Sequence, residues 1–157
     1  MANVKHIPEG QHCVTPALIV KGGRKAIAFY EAAFGAKVKD VMYGPDGESV
    51  AHAELTIGDS VIFLGDESPE WGTRSPHTLG GSPVSLNLYT EDCDAVYQRA
   101  LAAGATGDMP PGDKFWGDRY AKITDPFGHT WGIATHIEDV TAEEMERRLA
   151  AEMAKNA

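Results

Sequence analysis

Phe115-Trp116-Gly117-Asp118-Arg119-Tyr120, followed by Thr124-Asp125-Pro126-Phe127-Gly128-His129-Thr130-Trp131, reads as strand, tight turn, strand. Asp125 starts a turn, Pro126 presets φ, and Gly128 supplies a positive φ, so two strands meet there as a hairpin. The flanking aromatic residues then face something buried.

Outward from this hairpin, the same order of elements occurs twice: strand, helix, then three strands. The first copy runs over about 13–66. Its apolar run Val14-Thr15-Pro16-Ala17-Leu18-Ile19-Val20 is broken by Gly22-Gly23 before a helix in which Ile27, Tyr30, Ala33 and Phe34 recur at helical spacing and Gly35 serves as C-cap. Pro45-Asp46-Gly47 and Gly58-Asp59 then turn the chain between strands that include 50–57 and 60–64. The second copy runs over about 83–136. Val84 to Thr90 alternates as a strand does, Asp92 opens a helix closed by Gly104, and the Asp125 hairpin completes the module. Residues 67–82, rich in Pro, Gly, Ser and Thr and carrying Trp71, read as a linker or lid. From Thr141 a helix is expected, with Thr141 and Glu144 as a capping box and Met145, Leu149 and Met153 as one apolar stripe that docks on its own domain or on a second copy.

At 157 residues the chain is one domain's worth, enough to bury roughly two-thirds of the surface its unfolded form exposes. Charged residues are 24% and apolar ones 43%, and no apolar run approaches the roughly 20 residues of a membrane span, so a soluble protein is expected. Met1 to Pro8 has neither an apolar core nor a cleavage pattern, which makes the expected compartment cytoplasmic. Cys13 and Cys93 lack CxxC spacing and read as reduced, unreactive thiols. A net charge of −9 with no cluster of Lys or Arg argues against nucleic acid and against an anionic membrane as partners.

Two βαβββ modules with Phe29-Tyr30-x-x-x-Phe34-Gly35 in the first helix and Asp125-Pro126-Phe127-Gly128-His129-x-Trp131 in the last hairpin resemble the vicinal oxygen chelate superfamily. That group includes glyoxalase I, extradiol dioxygenases, and fosfomycin- and bleomycin-resistance proteins. Phe115-Trp116-Gly117-Asp118-Arg119, the Asp125 turn and His52-Ala53-Glu54-Leu55 bring the chain closest to the PhnB-like branch, and the resemblance covers roughly Val14 to Asp139. It implies an α+β fold in which two βαβββ modules form a cupped mixed sheet, the glyoxalase/bleomycin-resistance fold, as one domain over 1–139 with a C-terminal helix over 140–157. It also implies a homodimer, in which paired modules often come from two chains. Finally, it implies a divalent metal held by His and Glu of the first and last strands of the modules, working as a Lewis acid.

Fixed spacing from the motifs places the metal-ligand positions on Thr15, Ile62, Ser85 and Gly132. Hydroxyls are weak neutral donors, and Ile and Gly offer no donor at all, whereas Zn, Ni, Fe or Mn favour imidazole, carboxylate or thiolate. The expectation is therefore no family-type metal and no cofactor.

His52 and Glu54, two apart on a strand, point to one face and are either a base with its orienter, a pair of relocated metal ligands, or a polar pair on a solvent or dimer face. Arg119 either grips a carboxylate or phosphonate in bidentate fashion or pairs with Asp118 or Asp125. Tyr89, Phe115, Trp116 and Trp71 could line an apolar cavity and stack on a flat ligand, with core packing of at least half of them as the competing account. Thr15, Ala17, Ser85 and Asn87 are expected to floor the cup with hydroxyls and an amide. His129 reads as a hairpin residue bonded locally, and His136, His6, His12 and His77 are given no role. The leading expectation is a metal-independent, PhnB-like protein that binds a small organic ligand or substrate in the cup. A metal-dependent lyase or isomerase with ligands around His52 and Glu54 is the second reading, and a non-catalytic structural or interaction module is the third.

Overall fold

In a computed structural model, residues 4–155 are described; Met1 to Asn3, part of the stretch read for a leader, and Asn156 and Ala157, the end of the expected C-terminal helix, lie outside them. The chain divides into two compact units, one ending at Gly81 and one beginning at Ser82. The break falls at the end of the expected linker.

The first unit contains β1 (Ala17–Val20), α1 (Gly23–Phe34), β2 (Lys37–Tyr43), β3 (Val50–Ile57) and β4 (Ser60–Asp66), then a 3-10 turn (Pro69–Trp71) and the short α2 (Pro76–Leu79). Its four strands form a mixed sheet in the order β1-β4-β3-β2, with β1 parallel to β4 and the other pairs antiparallel. Directly opposed residues of a sheet share a face, so Leu55 with Ile62 and Ala53 with Leu64 form the helix side, and all four are buried. Against them α1 places Ile27, Tyr30, Ala33 and Phe34, and Gly35 ends the helix at φ 67°. Each such Leu or Ile contributes about 2 kcal/mol by leaving water.

The second unit repeats the plan with β5 (Ser85–Tyr89), α3 (Cys93–Ala102), β6 (Thr106–Asp113), β7 (Asp118–Thr124) and β8 (Thr130–His136) in the order β5-β8-β7-β6, and adds α4 (Ala142–Lys155). Val96, Tyr97 and Ala100 of α3 are buried, as are Ala121, Ile123, Trp131 and Ile133 on one side of the sheet. Asp92 caps α3 by accepting from the Ala95 N–H at 2.9 Å. The hairpin forms as its turn chemistry requires. The buried Asp125 carboxylate accepts from the N–H groups of Phe127 and His129 at 2.9 Å and from Trp131 Nε1 at 3.0 Å. His129 is therefore a hairpin residue bonded locally.

One local expectation is corrected, and the two readings of the apolar stripe on α4 are narrowed. The capping box is half made: the Glu144 N–H donates to Thr141 Oγ1 at 3.3 Å, but the Glu144 carboxylate turns to Arg147 and Arg148 instead of reaching back, because two cations outcompete one amide. No described residue of α4 is buried, and Leu149 and Met153 stay exposed, so the stripe does not dock within its unit. What ties α4 down is Arg148, paired with Glu138 at 2.7 Å and bonded to the Phe115 carbonyl.

Candidate functional site

In each unit the face away from the helix carries the polar and aromatic side chains. In the second unit the register stacks them in rows across β5, β8 and β7: Ser85, Thr130 and Thr124; then Asn87, Gly132 and Lys122; then Tyr89, Ala134 and Tyr120; and finally His136 opposite Asp118. The structure thus brings Ser85, Asn87 and Tyr89 onto one face, and the aromatic Phe115 and Trp116 join it at the Asp118 end. Trp116 packs edge-on against Phe115 at 5.1 Å and against Tyr120 at 5.7 Å.

Asp118 is the centre of this end. It is 5% exposed, and its Oδ2 accepts from Tyr89 OH at 3.1 Å and Trp116 Nε1 at 3.0 Å while Oδ1 sits 2.9 Å from His136 Nδ1. The other ring nitrogen, Nε2, lies 3.0 Å from Asp139 Oδ1. The hydrogen bond with Asp118, helped by that with Asp139, raises the His136 pKa above its ordinary value, and the same carboxylate raises that of the Tyr89 phenol.

Gly117 makes this cluster possible. Its φ is 96°, its carbonyl accepts from the N–H groups of Ile137 and Glu138 at 2.9 and 3.0 Å, and a Cβ there would lie 2.2 Å from the Glu138 carbonyl oxygen. Only a residue without a side chain lets the 114–118 turn press onto the segment after β8, which sets Asp118 beside His136.

Asp118 and His136 are the functional candidates that sequence reasoning missed. The hairpin itself held the signal: counting six residues outward from Thr124 and Thr130 pairs Asp118 with His136. Arg119, the neighbour of Asp118, points to the opposite face of the strand. Its guanidinium binds Asp94 of α3 and Asp113 of β6, not Asp118 or Asp125, so it belongs to the helix side and not to the open face. Nor is any of the four aromatic candidates core: Phe115 and Trp116 are half-buried, Tyr89 is 65% exposed, and Trp71 is 85% exposed in the loop of the first unit.

On the open face of the first unit, Glu54 is opposite Phe63, and Phe63 is in turn paired with Ala17. Glu54 accepts from Gln11 Nε2 at 3.3 Å and lies 3.6 Å from Lys39 Nζ, while Thr15 donates to the same Gln11 side chain. The His52 ring packs edge-on against Phe63 at 4.9 Å. His52 and Glu54 share a face as expected, yet each has a different partner. Ile62 is a correction: it points to the helix side, and the open-face side chain of that strand is Phe63.

The donor set at the metal-ligand positions is then Thr15, Phe63, Ser85 and Gly132, which does not fit a divalent ion. Gly132 is filled space as well. A Cβ there would lie 2.3 Å from Asn87 Oδ1 and 2.6 Å from Tyr120 OH, so these two side chains occupy the place a ligating carboxylate would need. Among the described residues, no three His, Cys, Asp or Glu are grouped so as to hold a metal. Cys93 is buried, donates its thiol to the Ile133 carbonyl at 3.2 Å, and has its pKa raised by burial, which keeps it unreactive. Among the same residues, no helix is long and apolar enough to cross a membrane.

The Glyoxalase family, described as the Glyoxalase/Bleomycin resistance protein/Dioxygenase superfamily, matches residues 11–133. An uncharacterized protein of Mycobacterium tuberculosis is 39% identical over 142 residues, covering 88% of this chain and 83% of that protein. The X-ray structure of a gene product from Arabidopsis thaliana is 28% identical and superposes with a TM-score of 0.61 over 78% of this chain and 98% of its own. A PhnB protein from Bacillus cereus, 20% identical, shares the fold with a TM-score of 0.61 over 79% of this chain and 99% of its own. With its two βαβββ units and a family match over most of its length, this chain belongs to the glyoxalase/bleomycin resistance protein/dioxygenase superfamily.

Proposed function

We propose that this chain is a PhnB-like member of the superfamily that binds a small organic molecule on the open face of its second unit, without the family's metal. One observation carries the reading: at the position of the family's ligating carboxylate, Gly132 admits Asn87 and Tyr120 over the strand, and the face around them offers hydroxyls, an amide and aromatic rings. Such a surface holds a neutral or weakly charged ligand by hydrogen bonds and stacking. A cytoplasmic homodimer is part of the same reading, and the exposed Leu149 and Met153 of α4 favour a second copy as partner.

The test pairs two measurements on the purified protein. Elemental analysis after dialysis against Zn, Mn, Ni and Fe should find no stoichiometric metal. A thermal-shift screen of aromatic natural products, antibiotics and organophosphonates should yield compounds that raise Tm, because a ligand that binds only the folded state stabilises it. One tightly held metal per chain, lost in His52→Ala and Glu54→Ala, would replace this reading with the metal-dependent lyase or isomerase. No metal and no stabilising compound would leave the interaction module.

A further inference from the structure

We infer that the Asp118–His136 pair at the end of this face is the docking point for the carboxylate of a small aromatic acid, with Tyr89 and Trp116 as the surface for its ring. This rests on the reading that the face binds a small organic molecule, and it names the ligand's chemistry.

The geometry begins with Asp118. Buried and bonded to two fixed donors, Tyr89 OH and Trp116 Nε1, it turns its remaining oxygen to His136 Nδ1. That contact requires a hydrogen on Nδ1 and sets the direction of the ring. Nε2 then faces the Asp139 carboxylate, and a second hydrogen is required there, so the doubly protonated imidazolium satisfies both partners. The chain itself thus shows the group to which Nε2–H donates: a carboxylate oxygen.

Asp139 holds that place weakly. Its side chain is fully exposed and lies past the end of β8, and an exposed pair of this kind contributes little. A ligand carboxylate carries the same oxygens and can exchange with it. Beside it, the exposed Tyr89 ring is anchored through its hydroxyl to the same Asp118 carboxylate, so a rigid apolar surface starts within one carboxylate's span of the imidazole. Trp116, edge-on to Tyr120, continues that surface. Rings already held in place lose little freedom when a flat ligand stacks on them. Lys122 lies on the same face and has no acidic partner among the described residues, which adds a second positive charge along the route of an anion.

The bound Asp139 is an internal competitor, and this gives the proposal an unusual sign. Removing its charge should tighten binding, by about two- to fivefold given the small contribution of exposed pairs. The experiment is calorimetric titration of the whole protein with 2-naphthylacetate and with its neutral amide, in the native chain, Asp139→Asn and His136→Gln. Expected are binding of the acid, at least tenfold weaker binding of the amide, tighter acid binding by Asp139→Asn, and loss of it in His136→Gln. Asp139 makes only an exposed contact, so Asp139→Asn keeps the fold and decides the matter even if His136→Gln does not.

Equal binding of acid and amide would overturn the inference while leaving a small-molecule face in place. Unchanged or weaker acid binding by Asp139→Asn would overturn it too, as would no binding of the acid to any form. In that last case the thermal-shift screen separately decides whether the broader reading survives.

Discussion

Gly117 and Asp118 show how two adjacent residues divide the construction of a site. Gly117 contributes nothing chemical; it permits a positive φ and a backbone approach that any side chain would block. Gly117→Ala should therefore cost about 2–4 kcal/mol, from left-handed strain plus a clash with a backbone oxygen that cannot move aside, and urea unfolding would read it. Asp118 contributes the chemistry, because its buried carboxylate collects a phenol, an indole and an imidazole. The sign of the His136 shift makes a further prediction. Its folded pKa is raised, so its contribution to stability is present below about 6.5, the ordinary histidine value, and is lost as pH climbs through the higher folded value. The groups facing the ring are Asp118 from β7 and Asp139 from its own segment. A proton NMR titration should place the His136 midpoint above 6.5 and should move it down in Asp118→Asn. A midpoint unmoved by that substitution would mean the pairing does not persist in solution.

Among elements, the loop after β4 is closed by the Ser68–Thr73 bridge and tied back to its second half by the Glu67 side chain. Glu67 accepts from the Ser75 N–H at 2.8 Å and from Thr78 Oγ1 at 2.7 Å, which holds its pKa at about 2. A depressed carboxylate stabilises above its unfolded value of about 4.5 and loses that contribution as pH falls toward 2. Protection against hydrogen exchange in 68–80, taken relative to intrinsic rates, should thus be high at pH 6, fall between about pH 4.5 and 2, and at neutral pH be low in Glu67→Gln. The elements also show where local signals end. Asp92, Gly35 and the Asp125 turn cap and turn as their residue types dictate, since every partner lies within a few positions. Glu144 does not complete its capping box, because Arg147 and Arg148 are stronger partners.

At the scale of the whole molecule, the chain is two units of one plan joined near Gly81. Leu79, Gly80 and Gly81 at the join are exposed, so limited trypsin-free proteolysis, with subtilisin for example, should cut first between 79 and 84 and leave two fragments of nearly equal mass. A first cut inside α1 or α3 would contradict that division. The sequence by itself determined the order of elements, the hairpin, the repeat and the superfamily, because alternation, helical spacing and turn residues are local and were each satisfied locally. It also marked Ser85, Asn87 and Tyr89, whose shared face follows from strand alternation, and Phe115 and Trp116, which lie in the turn before β7 and not on the strand read there. Tertiary structure alone decided that Arg119 serves the helix side, that Phe63 and not Ile62 lies on the open face, and that Asp118, which the hairpin count pairs with His136, also collects Tyr89 and Trp116. Those outcomes depend on cross-strand register and on the approach of segments far apart in the chain, and no local pattern carries that information.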